Sequence, residues 1–179
     1  MVVYIAFLRA INVGGHTVTM ARLREIFETA GCSAVETFIA SGNVIFQTRS
    51  ARADRLERII EKALHGALGY EVATFLRTPL EVASIATQEP FDRSELVMDG
   101  HTLFVSMMAN PPSAEATGKL MSMASAMDDF AVVGREMYWL RRSPDSRFSG
   151  ARFERLLGQK ATARNINTVR TIAAKLSER

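Results

Sequence analysis

Tyr4 to Arg9 is an almost unbroken apolar run, and Ile11 to His16 after it is rich in Asn and Gly, which predicts a buried strand and its loop. Thr19 can cap a helix in which Met20, Leu23, Ile26 and Phe27 recur at helical spacing until Gly31 ends it. Val35 to Ile39 and Val44 to Thr48 then read as two short strands joined by a hairpin at Ala40-Ser41-Gly42-Asn43. A second helix follows from about Ala53 to Ala67, with Leu56, Ile59, Ile60, Ala63 and Leu64 on one face, and Glu71 to Arg77 forms a fourth strand. The order β-α-β-β-α-β is the ferredoxin-like arrangement.

After Thr78-Pro79 a helix from about Leu80 to Thr87 leads into a second series. It comprises a strand from His101 to Met108, a helix from Ala114 to Ala126, and strands Phe130 to Val133 and Glu136 to Arg142 around the turn Gly134-Arg135. The turn-rich stretch Ser143 to Gly150 precedes a short helix at Arg152 to Leu157 and a final helix from about Ala163 to Leu176, where a last strand could have stood. The expected fold class is α/β of the α+β type, two tandem ferredoxin-like halves of which the second ends in helices. The halves are placed at 1–78 and 79–179, a repeat of pattern and not of sequence, with a single mixed α/β core as the alternative.

Composition adds exclusions. The chain has 179 residues, 47% of them apolar and 23% charged, which fits a folded protein, and its longest apolar runs fall far short of a membrane span. The first residues read as a strand and not as a signal peptide, so the expected location is cytoplasmic. A single cysteine, Cys32, expected as a buried small hydrophobe, and three scattered histidines imply no disulfide and no metal, and the sequence leaves any cofactor open. Net charge is +3, yet the segment from Gly150 onward carries seven basic residues against Glu154 and Glu178. Such a basic segment suits an anionic partner and equally a solvated helix face.

One polar neighbourhood follows from topology. A right-handed crossover makes the first two strands parallel, so the loop after the first and the hairpin after the second share a sheet edge. That edge should gather Arg9, Asn12, Gly14, Gly15, His16, Ser41, Gly42 and Asn43. Glycines before a helix allow close backbone approach, free N–H groups there favour anions, and Arg9 adds a planar cation. The same residues could simply satisfy tight turns. The segment Thr162, Ala163, Arg164, Asn165, Ile166, Asn167, Thr168 also crowds capping and anion-binding side chains into one turn or helix start. Several signatures are missing: Gly14-Gly15-His16 lacks the continuation of a P-loop or dinucleotide fingerprint, and Ser41 lacks a nucleophile-elbow context. Asp128-Asp129 reads as a pair of solvated turn residues, and Tyr138-Trp139 lacks the pattern of an RNA-binding strand while pointing to opposite faces.

Three blocks together, Tyr4-Ile5-Ala6-Phe7-Leu8-Arg9-Ala10-Ile11-Asn12-Val13-Gly14-Gly15-His16, Ser41-Gly42-Asn43-Val44 and Thr162-Ala163-Arg164-Asn165-Ile166-Asn167-Thr168-Val169, resemble a bacterial family, domain of unknown function 1697. The resemblance runs over essentially the whole chain and implies an α/β architecture with no assigned substrate. Members usually carry glycine where this chain has Ala10.

The leading expectation is a site for a phosphate-bearing or otherwise anionic small molecule, formed by the Arg9–His16 loop, the Ser41–Asn43 hairpin and the Thr162–Thr168 segment. Arg9 and Arg164 would neutralise charge, Asn12, Asn43, Asn165 and Asn167 would orient the ligand, Gly14 and Gly15 would present backbone donors, and His16 is the first candidate for proton transfer should catalysis occur. The alternatives are a nucleic-acid-binding module using the basic C-terminal segment, and a structural or oligomerisation domain without catalysis. Sequence leaves open whether the protein is an enzyme and whether it forms oligomers.

Overall fold

A computed structural model describes residues 1–12, 15, 17–38, 42–49 and 52–178. They divide into two compact units, Met1–Val82 and Ala83–Arg179. The first unit opens with β1 (Val2–Leu8), α1 (Met20–Thr29), β2 (Ser33–Phe38), β3 (Asn43–Thr48), α2 (Ala53–Leu68) and β4 (Thr74–Arg77). Its sheet has the order β2-β3-β1-β4, in which β1 is antiparallel to both β3 and β4, as the ferredoxin-like arrangement requires. Alternation decides the faces: Tyr4, Ala6 and Leu8 of β1 join Val44 and Phe46 of β3 beneath Leu23, Ile26 and Phe27 of α1 and Leu56, Ile60 and Leu64 of α2. Phe27 meets Phe46 edge-on at 5.4 Å between ring centroids. The intervening residues Ile5, Phe7 and Ile45 are buried as well, so β1 reads as a continuous apolar run.

The helix α3 (Pro79–Thr87) follows β4, and the second unit continues with the single turn α4 (Arg93–Leu96), then β5 (Thr102–Met108), α5 (Ala114–Met121), β6 (Asp128–Val133), β7 (Glu136–Arg141), α6 (Gly150–Leu157), β8 (Ala161–Asn165) and α7 (Ile166–Ser177). Its sheet order, β6-β7-β5-β8, repeats that of the first unit strand for strand. Met108, Leu120, Phe130, Met137, Phe153 and Ala161 form the core under α5 and α6.

Two expectations need correction here. The last strand is present: Ala161–Asn165 pairs antiparallel with β5 from Met108↔Ala161 to Phe104↔Asn165, and the helix expected from about Ala163 begins only at Ile166. Thr162, Arg164 and Asn165 look like capping residues, but pairing with a buried neighbour outweighs that local preference. Asp128-Asp129 is likewise no solvated turn, because both residues lie in β6 and Asp128 is buried. Among the described residues no helix is long and apolar enough to cross a membrane.

Candidate functional site at the start of the last helix

In the first unit the end of β1 and the start of β3 meet at one sheet edge. Asn43 pairs with Phe7 in register, the Leu8 amide donates to the Gly42 carbonyl at 2.8 Å, and the Arg9 amide donates to Ala73 at 2.8 Å. These backbone bonds close the loops. Asn12 sits at φ 58 and its Oδ1 accepts from the Val18 amide at 2.6 Å, while the buried Asn43 donates through Nδ2 to the Phe38 carbonyl at 3.0 Å. Gly42, at φ +75, has no room for a Cβ, which would overlap Ile11 Cγ2 and Leu8. Ala10 also lies in the left-handed region at φ 58, a backbone conformation that favours glycine. Gly15 is exposed, and Gly14, His16 and Ser41 lie outside the described residues.

In the second unit the Thr162–Thr168 block splits in two. Thr162 and Arg164 are buried on one face of β8, where the Arg164 guanidinium donates through Nη1 to Thr162 Oγ1 and to the Ala163 carbonyl, both at 2.8 Å. Burial pushes the Arg164 guanidinium down to about 10, so it stays charged at neutral pH. Asn165 ends the strand and caps α7 by accepting the Asn167 amide at 2.9 Å, and Thr168 stands one position further into the first turn.

A pocket of about 170 Å³ opens at this point, lined in part by His101, Thr102, Asn165, Asn167 and Arg170. Arg170 reaches it one turn beyond Asn167, with Nε donating to the Ala86 carbonyl at 3.3 Å and Nη1 to Asn167 Oδ1 at 3.4 Å. No carboxylate pairs with Arg170 among the described residues. His101 Nδ1 lies 2.9 Å from the Glu95 carbonyl, which can only accept, so Nδ1 carries the proton and Nε2 is left for another partner. Sequence reasoning missed both side chains. Arg170 was signalled by its helical spacing from Asn167, whereas His101 lies far off in sequence and only the β5–β8 pairing brings it here.

The start of α3 offers the internal reference. Thr78 Oγ1 accepts the Glu81 amide at 3.3 Å, and Glu81 Oε2 accepts the Thr78 amide at 2.7 Å, a capping box that places a carboxylate on the free N–H groups. The first turn of α7 has no acidic residue, and Thr168 occupies the position that Glu81 holds in α3.

Beside the pocket, the outer end of the same sheet carries an aromatic and cationic cluster. Phe104 and Trp139 stack at 5.0 Å with 25° between their planes, and the Arg141 guanidinium lies 5.2 Å from the Phe104 centroid and 5.9 Å from that of Trp139. Asp128 is committed elsewhere, since its Oδ1 accepts from Trp139 Nε1 at 2.7 Å and from Ser146 Oγ at 2.6 Å. Arg141 stands opposite Asp128 in the β6–β7 register but forms no ion pair with it or with any other carboxylate among the described residues, and its Nε is buried without a hydrogen bond. No three His, Cys, Asp or Glu side chains among the described residues are placed to hold a metal ion.

No curated protein matches the sequence. Among solved structures, the conserved bacterial protein SP0830 from Streptococcus pneumoniae is similar over 99% of each chain, with a TM-score of 0.76 and 21% identity, a likeness of fold. A family model described as protein of unknown function (DUF1697) matches residues 1–138, which covers the first unit and the second as far as β7. The chain belongs to the DUF1697 family.

Proposed function

We propose that the pocket at the start of α7 binds a small anion, most simply the phosphate group of a small molecule. The observation that carries this reading is the contrast in helix starts: α3 meets its own Glu81 carboxylate, while α7 has no acid in its first turn and opens on a pocket bordered by Arg170 and His101. Free N–H groups and a helix dipole favour negative charge at such a position, and an unpaired guanidinium adds a charge-assisted donor. Asn165, Asn167 and Thr168 are retained from the residues singled out by sequence, and His101 and Arg170 join them. In this reading the buried Arg164–Thr162 pair supports the strand beneath, and Arg9, Asn12, Gly42 and Asn43 keep their loops closed.

The test is calorimetric titration of the full chain with inorganic phosphate at low ionic strength, beside Arg170→Ala. Arg170 is exposed, so its loss should weaken binding about ten-fold or more while leaving the thermal midpoint nearly unchanged. Absence of phosphate binding by the unaltered protein, or equal binding by both, would sink the reading.

A further inference from the structure

The anion pocket and the aromatic cluster share a border. Residues directly opposite in antiparallel strands lie on one face about 5 Å apart, and the register pairs Phe104 with both Asn165 and Trp139, and Thr102 with Arg141. Thr102 and Asn165 line the pocket, while Phe104, Trp139 and Arg141 form the stack. One strand spacing thus separates two residues that line a cavity sized for a phosphate, Thr102 and Asn165, from a half-buried planar stack whose cation forms no ion pair among the described residues.

We infer that the ligand of this pocket is a nucleoside monophosphate, its phosphate at Arg170 and the start of α7 and its base against Phe104 and Arg141. The inference rests on the anion reading of the same pocket and narrows it to a substrate class. A ribose supplies the reach from one group to the other. A base brings a π-face for Phe104 and the guanidinium plane, together with ring acceptors for the Arg141 donors that no carboxylate takes. Packing alone gives the cluster no reason to hold an arginine: a leucine or methionine would cover the two rings without stranding a buried Nε.

Trp139 is the only tryptophan in the chain, so its fluorescence reports on the stack directly. The experiment titrates the full chain with adenosine and guanosine 5′-monophosphate, ribose 5-phosphate and inorganic phosphate, reading both heat and Trp139 emission. At least one nucleotide should bind about ten-fold tighter than ribose 5-phosphate and change the emission saturably, since stacking one base contributes about 1–3 kcal/mol. Phe104→Leu and, independently, Arg141→Gln should remove that excess and leave phosphate binding intact, which also shows that each variant is folded. Equal affinity for all four compounds with silent Trp139 would overturn the nucleotide inference and spare the anion pocket. Binding by none of them would overturn both, and tight binding of a short oligonucleotide without either monophosphate would replace the small-molecule ligand.

Discussion

The closing strands of the two units can be laid over one another residue by residue. Arg77 pairs with Ile5 in the first unit as Arg164 pairs with Val105 in the second, and each guanidinium donates through Nη1 to the carbonyl of the residue before it, Leu76 or Ala163, at 2.8 Å. Leu8 donates to Gly42 and Met108 to Arg135 at the matching ladder ends. Thr78 and Asn165 then cap α3 and α7. The correspondence stops at the third helical residue, Glu81 in one and Thr168 in the other. One frame built twice has thus closed one helix start with its own carboxylate and left the other without one.

The buried arginines give the largest expected effect. Arg77 is 1% exposed and Arg164 8%. Arg77→Ala and Arg164→Ala should each lower unfolding stability by about 2–4 kcal/mol in urea, through a cavity and unpaired carbonyl acceptors. If the two strands are truly equivalent the losses should agree to within about 1 kcal/mol. A loss near zero at one position would break the equivalence.

Gly42 comes next and marks where the units differ at the hairpin. Its left-handed φ and the Ile11 methyl beside it predict that Gly42→Ala costs about 2–3 kcal/mol, whereas its register counterpart Arg135 should tolerate alanine. Thermal denaturation of both variants separates the two cases.

Sequence carried the first unit well because its two central strands, β1 and β3, are largely apolar runs bounded by turns. The shared edge of the first loop and the hairpin followed from handedness alone, and the Leu8–Gly42 hydrogen bond realises it. It failed at β8, where Arg164 and Thr162 are buried by pairing with β5 and their polarity hid a strand inside a capping motif. Asp128 escaped for the same reason: its partners Trp139 and Ser146 stand 11 and 18 residues away, and adjacent carboxylates give no hint of them. The candidate site at α7 is half legible, since Asn165, Asn167 and Thr168 are local to the helix start while His101 reaches it only through the sheet.

Removing the capping box tests the closed side of the pair. Glu81→Ala frees the Thr78 amide and takes negative charge from the start of α3, so stability should fall by about 1–2 kcal/mol. Glu81→Gln should recover part of that loss by keeping an acceptor oxygen. The same alanine at Thr168, which has no counterpart carboxylate, should change stability by less than about 0.5 kcal/mol.

The smallest change in stability is the most informative. Thr168→Glu writes the α3 arrangement into α7, placing a carboxylate three residues after the Asn165 cap, where it can accept the free amide of that cap and sit on the helix dipole. The unliganded protein should gain about 0.5–1 kcal/mol, read as a higher thermal midpoint. The gain comes from the same N–H groups that an outside anion would use, and the new charge also repels that anion. Phosphate should therefore raise the midpoint of the unaltered protein and leave that of Thr168→Glu unmoved. A variant that gains stability and still responds to phosphate would place the anion elsewhere, away from the first turn of α7. A variant that gains nothing would mean that Asn165 already satisfies the helix start, and the contrast with Glu81 would lose its force.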